Sequence, residues 1–158
     1  MEASRSGAIE LGVVLRFIDI ATDALAGARE EIDALNVYPV PDGDTGTNMY
    51  LTVSAAREAI REASRRAAGN DPDVVRHTSL RACSRGALLG ARGNSGVILS
   101  EMLGAVCRRI DAADRAESSA RIMADALRAA SDAAYAAVGT PVEGTILTVA
   151  RAAADAAA

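Results

Sequence analysis

Apolar residues at Val14, Ile18, Ala21, Leu25, Ala28, Ile32 and Leu35 recur in alternating steps of four and three, until Pro39 and Pro41 end the run. Such steps trace one face of an α-helix, whereas a half-buried strand would alternate at every second residue. The spacing predicts a long first helix over residues 7–35. It must stop before Pro39, because proline lacks a donor and pushes the residue before it out of the helical region. Residues 36–46 are therefore read as a stiff loop. The helical pattern then restarts. Met49, Val53, Ala56, Ile60, Ala63 and Ala67 mark a second helix that begins near Thr45 to Asn48 and ends at the Gly69-Asn70-Asp71-Pro72 breaker. Its opposite face is rich in Arg and Glu and is expected to meet solvent.

The same reading gives a third helix over residues 73–89, a loop over 90–96, and a fourth helix ending near Ile110. Two more follow, over 116–137 and from Glu143 to the C-terminus, divided by Gly139-Thr140-Pro141. Val37, Tyr38 and Val40 are the best case for a strand, and prolines interrupt them. The expected class is all-α. Composition agrees: half the residues are hydrophobic but only 3% are aromatic, so the core must form from Ala, Leu, Val and Ile at short range, which favours helix on helix. At 158 residues one domain can bury roughly two thirds of its unfolded surface. The alanine-rich run from Ala152 to Ala158 carries no stop signal, and the expectation is a single domain, 1–158, cut from a longer protein.

Several function classes drop out. With 17 basic and 21 acidic residues, a net charge of -4 and Arg scattered among acids, nucleic acid is not an expected partner. Cys83 and Cys107 lack metal-ligand spacing and sit in apolar helical patterns, so they are read as buried thiols. No stretch approaches ~20 apolar residues and no leader pattern is present, so a cytoplasmic protein without a membrane span is expected. His77, the one histidine, is read as a surface or partly buried residue, and Met49 and Met102 as core.

Chemistry concentrates in Asp42-Gly43-Asp44-Thr45-Gly46-Thr47-Asn48. Two carboxylates one residue apart, after prolines and before a helix, repel each other unless a cation offsets them. Mg²⁺ does so, taking one or two protein carboxylates and filling its other positions with phosphate and water. The helix start offers unpaired N–H groups to an anion, and Gly46 is expected to let a phosphate approach the backbone. The bland alternative is a tight turn followed by an Asp or Thr N-cap. Gly93-Asn94-Ser95-Gly96 opens a second helix with a second set of amides, and Asn94 and Ser95 are expected as donors or caps. Neither segment matches the strand-associated phosphate loops.

Leu35-Asn36-Val37-Tyr38-Pro39-Val40-Pro41-Asp42-Gly43-Asp44-Thr45-Gly46-Thr47-Asn48-Met49 resembles the signature of bacterial fatty acid kinases. Gly90-Ala91-Arg92-Gly93-Asn94-Ser95-Gly96 and Pro141-Val142-Glu143-Gly144-Thr145-Ile146-Leu147 are similar to two later signatures of that group. The resemblance implies the domain shared with the L subunit of dihydroxyacetone kinase, an antiparallel helical barrel with ATP or ADP bound at one end. It implies Mg²⁺ ions, two in that family, on Asp42 and Asp44. It further implies nucleotide contacts from Thr45, Gly46, Thr47, Asn48, Asn94 and Ser95, and an apolar one from Ile146. Asn36 stands near the place of a third family aspartate and is a candidate neutral metal ligand. Because the family barrel has eight helices and this chain about six, an open, incomplete barrel is expected, with weak or absent nucleotide binding on its own.

The implied activity is transfer of the ATP γ-phosphate to a fatty acid carboxylate presented by a separate DegV-type fatty-acid-binding protein. Such a nucleophile is ionised at neutral pH and needs no general base. A dihydroxyacetone kinase subunit and a non-catalytic nucleotide-sensing scaffold are the alternatives. A homodimer through the parent protein is compatible with either.

Overall fold

The computed structural model describes residues 9–158. They form six α-helices, α1 (Leu11–Leu35), α2 (Thr45–Arg66), α3 (Pro72–Gly90), α4 (Gly93–Asp111), α5 (Ser119–Ala136) and α6 (Ile146–Ala157), and no strand occurs among them. Residues 7 and 8, expected in the first helix, lie outside the described residues.

Local chemistry sets the boundaries. Asp71 caps α3 by accepting the Asp73 N–H at 2.9 Å, with Pro72 at the first helical position where no donor is needed. α5 starts three residues later than the periodicity suggests. Residues 114–117 are held in a turn, the Glu117 carboxylate accepting the Asp114 N–H at 2.8 Å, and Ser118 caps the helix instead. α6 likewise begins at Ile146 rather than at Glu143. Gly144 adopts φ 80, outside the helical region, and Thr145 accepts the Leu147 N–H at 3.3 Å.

Each helix packs on its neighbours in sequence, and α2 also packs on α4. Cross-helix pairs fix the directions. On α1 and α2, Thr47 reaches Asp33, Arg57 reaches Asp23 and Arg61 reaches Asp19, so one number falls as the other rises and the helices are antiparallel. The same holds for His77–Asp111 on α3 and α4 with Ser84 facing Gly104, and for Arg128–Asp155 and Asp132–Arg151 on α5 and α6. The connections over 36–44, 91–92 and 137–145 therefore share one end. All three sequence motifs meet there.

The core runs along the inner faces through Ile18, Val53, Ala56, Ile60, Leu80, Cys83, Ala87, Cys107, Ile110 and Ile122. Three expectations need correcting. Leu35 is 71% exposed, so the α1 stripe ends at Ile32. Arg57 and Arg61 on the charged face of α2 do not simply meet water, since both pair with Asp19 of α1, Arg57 at 2.9 Å. Met49 and Met102 are half-buried and do not belong to the buried core. His77 lies on the surface and bonds Asp111 at 2.6 Å, and both cysteines are buried and unbridged, as the sequence led us to expect.

Candidate functional site

The 36–44 loop leaves α1 through Asn36 and enters α2 at Thr45, with Tyr38–Pro39 in the cis form and Gly43 at φ 65. Asp42 is exposed and Asp44 half-buried. The Asn36 side chain donates from Nδ2 to Asp42 Oδ1 at 2.6 Å. Asn36, a candidate metal ligand through its side-chain oxygen, thus uses its amide nitrogen to orient the Asp42 carboxylate.

Asp44 occupies the N-cap position of α2, yet its side chain makes no capping bond. The cap comes from elsewhere. Asp33, on the last turn of α1, accepts the Thr47 N–H at 3.1 Å through Oδ1 and the Thr47 hydroxyl at 2.6 Å through Oδ2. The Thr47 hydroxyl chiefly, then the Thr47 and Gly46 amides and Arg29, hold the Asp33 carboxyl below its ordinary value against partial desolvation. Sequence reasoning missed this residue. Its signal was an acid in the last turn of a helix, where the dipole disfavours negative charge and a compensating partner is required.

Gly46 also has a different role from the one its motif suggests. It is buried, and a Cβ there would lie 2.4 Å from the Arg29 carbonyl oxygen and 3.0 Å from Ile32 Cβ. Its missing side chain lets α2 start against α1. Asn48 is buried beneath the second motif, where a Cβ on Gly93 would come 2.3 Å from its Nδ2. Thr52 Oγ1 accepts the Arg92 N–H at 3.3 Å and would meet a Cβ on Gly96 at 2.5 Å. The second motif is thus seated on α2 by backbone contact.

α4 opens at Gly93 with Arg92 at the N-cap position, whose guanidinium bonds the Ala91 carbonyl at 3.0 Å and makes no capping bond. Asn94 and Ser95 are accordingly first-turn residues and not caps. The first intrahelical bond is Gly96 N–H to Arg92 O at 3.0 Å, so the amides of Gly93, Asn94 and Ser95 precede the ladder. At α2 the corresponding amides of Gly46 and Thr47 already face Asp33. The second motif therefore carries the more open set of donors.

The third motif closes the end. Tyr135 donates to Glu143 Oε1 at 3.0 Å, Thr148 donates to Glu143 Oε2 at 2.6 Å, and the Gly144 N–H donates to Thr148 Oγ1 at 2.8 Å. The hydroxyls of Thr148 and Tyr135 hold the Glu143 carboxyl below its usual value. Partial desolvation first, then the Glu143 carboxylate, push the Tyr135 phenol up. A Cβ on Gly144 would lie 3.9 Å from the Tyr38 ring, which joins the third loop to the first. Ile146, half-buried, is the first residue of α6 at this end.

Among the described residues no group of three or more His, Cys, Asp or Glu is gathered to hold a metal. Two carboxylates on a loop do fit Mg²⁺ of the kind that takes one or two protein oxygens and completes its shell with phosphate and water. They do not fit a closed all-protein cage.

The chain is 44% identical over 133 residues to proteins of Staphylococcus aureus strains USA300, NCTC 8325 and COL, each described as an uncharacterized protein. The matched segment is 84% of this chain but 22% of each relative, so the chain spans about a fifth of their length. No helix of the described residues is long and apolar enough to cross a membrane. The DAK2 domain family matches residues 39–158, which run from the first motif through the third. Three motifs at one end of an all-helical fold agree with that match, and the chain belongs to the DAK2 domain family, kinase-related helical domains with the nucleotide-binding role of the dihydroxyacetone kinase L subunit.

Proposed function

We propose that this chain is the Mg-ATP-binding domain of a fatty acid kinase, transferring the γ-phosphate to a fatty acid carboxylate held by a separate DegV-type fatty-acid-binding protein in the cytoplasm. One observation carries the nucleotide part. The α2 cap is made by Asp33, so Asp44 stands at the N-cap position beside Asp42 with no capping bond to make. An Asp-Gly-Asp turn that existed only to start a helix would use its own carboxylate for that purpose.

In this reading Asp42, oriented by Asn36, and Asp44 would hold Mg²⁺. The ion would supply the positive charge that lets carboxylates and phosphates share one site. Thr45, with Gly46, Thr47 and Asn48 behind it, would form the side of the site that meets the nucleotide. The first-turn amides of Gly93, Asn94 and Ser95, at the positive end of α4, would take phosphate oxygens. Ile146 would offer an apolar surface to the nucleotide.

The choice of acceptor is supported by the composition of the three loops. They contain no histidine, and His77 is engaged with Asp111 at the far end of α3. A carboxylate attacks without deprotonation and needs positioning and charge neutralisation more than a base.

The test uses full-length protein, Mg-ATP, a long-chain fatty acid and a fatty-acid-binding partner, with hydroxylamine present. An acyl phosphate is trapped as its hydroxamate, and that is the expected product. A hydroxylamine-stable ester formed from dihydroxyacetone would replace the fatty acid reading with that of a dihydroxyacetone kinase subunit. Mg-dependent nucleotide binding without transfer to either acceptor would leave a sensing scaffold.

A further inference from the structure

Two carboxylates stand where one is needed at the start of α2. Asp44 holds the N-cap position, where a short acidic side chain ordinarily accepts a first-turn amide. Asp33 instead accepts the Thr47 N–H at 3.1 Å and the Thr47 hydroxyl at 2.6 Å. It does so from the last turn of α1, the end of a helix that disfavours negative charge.

The backbone of Asp44 also differs from that of a capping residue. Asp71, Ser118 and Thr145 cap α3, α5 and α6 with their own side chains, and their ψ angles are extended, at 135, 145 and -173. Asp44 has ψ 5 and makes no capping bond. Gly43 precedes it at φ 65, in the region that glycine adopts freely.

We propose that Asp33 is a positioning residue: by holding the α2 cap it keeps Asp44 out of the capping conformation and available, with Asp42, to a divalent cation. The metal half of this inference rests on the nucleotide reading above. The two carboxylates compete for the same first-turn donors. With Asp33 present, Thr47 is taken and Asp44 keeps its ψ. Without Asp33, the Thr47 N–H loses its acceptor. Rotation of the Asp44 Cα–C bond toward the ψ of Asp71 and Ser118 then brings the Asp44 carboxylate onto the first turn of α2. The same rotation displaces Asp42, because residues 42 and 43 lie on the other side of that bond from the helix. Binding at the loop would then require breaking the new cap, a penalty on the order of fivefold in affinity.

The experiment compares full-length wild type, Asp33→Ala, Asp44→Ala, the double variant and Asp33→Asn by thermal unfolding, first without nucleotide and then across a Mg-ATP titration. Alanine suits the last turn of a helix, so Asp33→Ala keeps α1. Without nucleotide, Asp44→Ala should change Tm little in the wild-type background. In the Asp33→Ala background, where Asp44 has become the cap, it should lower Tm by roughly 2–4 °C for a domain of this size. In the titration, Asp33→Ala should need on the order of five times more Mg-ATP for the same protection. Asp33→Asn, whose side-chain oxygen still accepts the Thr47 N–H, should follow wild type. A cap with no positioning role gives a different pair of results: Asp44→Ala equally silent in both backgrounds, and a Mg-ATP midpoint unmoved by Asp33→Ala. Either would overturn the proposal. A wild type without Mg-ATP protection would overturn the nucleotide reading and the metal half with it, while the nucleotide-free comparison judges the cap exchange alone.

Discussion

Gly46→Ala separates two accounts of the same glycine. A Cβ at this position would lie 2.4 Å from the Arg29 carbonyl oxygen, where ordinary contact begins at 3.4 Å, so the start of α2 must retreat by about 1 Å. That retreat stretches the Thr47 hydroxyl bond to Asp33 from 2.6 Å to roughly 3.6 Å, past the useful limit. Overpacking of this kind costs about 1–3 kcal/mol. Up to about 1 kcal/mol returns because alanine is the better helix former. The net expectation is a loss of about 1–2 kcal/mol, or a Tm lower by roughly 2–8 °C in a domain of this size. Thermal unfolding of nucleotide-free protein, followed by far-UV circular dichroism, measures it. Gly27→Ala is the control: it sits inside α1 with nothing within 4 Å of the new Cβ, and it should stabilise by about 0.5–1 kcal/mol. If Gly46 served only to admit a phosphate, Gly46→Ala would behave like the control in the absence of nucleotide. A Tm at or above wild type would refute the packing argument.

Asp44→Ala removes no capping bond, so its stability should stay within about 0.5 kcal/mol of wild type, against about 1 kcal/mol for a lost cap; protection of the full-length protein by Mg-ATP should vanish, and calorimetry with and without nucleotide reads both. Asp33 is depressed in the folded state, so its contribution is present above the unfolded value of about 4 and is lost as pH falls through the lower folded value. Asp33→Asn should therefore flatten the acid limb of the stability curve, and two variants with superimposable limbs would count against the Asp33–Thr47 tie. Ile60→Ala opens a void at a fully buried position and should cost about 3 kcal/mol, a Tm drop of roughly 6–12 °C, whereas Val149→Ala, at 68% exposure, should change Tm little.

The helices were legible in the sequence because their apolar spacing is a local property. Val53, Ala56 and Ile60 fall inside as the four-and-three pattern predicts, and Pro39 and Pro72 mark real boundaries. The starts of α5 and α6 were less legible, because each depends on a carboxylate, Glu117 or Glu143, being taken by partners several residues away. The order of the motifs along the chain did not show that the fold gathers them at one end, and the division of labour among their residues was hidden as well. Whether Asp44 caps α2 depends on Asp33, which reaches Thr47 from another helix across fourteen positions of sequence. Gly46 looks like a phosphate glycine in its own loop and becomes a packing glycine only when α1 lies against it. Neither fact belongs to a single segment, so no local pattern could supply it.

The close seating of α3 on α2 carries a consequence for how the site tolerates change. A Cβ on Gly86 would stand 2.4 Å from Ala59 Cβ, and one on Gly90 2.2 Å from Ala55 Cβ. Along that seam the two helices meet with scarcely a side chain between them, and the segment opening α4 hangs from its end. Nothing there can flex to absorb an added methyl group. α3 would swing as a rigid lever and carry Gly93, Asn94 and Ser95 away from Asp42 and Asp44. Positions outside the proposed ligand contacts, such as Ala55 and Gly90, thereby set the gauge between the two halves of the proposed site. Their enlargement should register first as a loss of alignment and only second as a loss of stability.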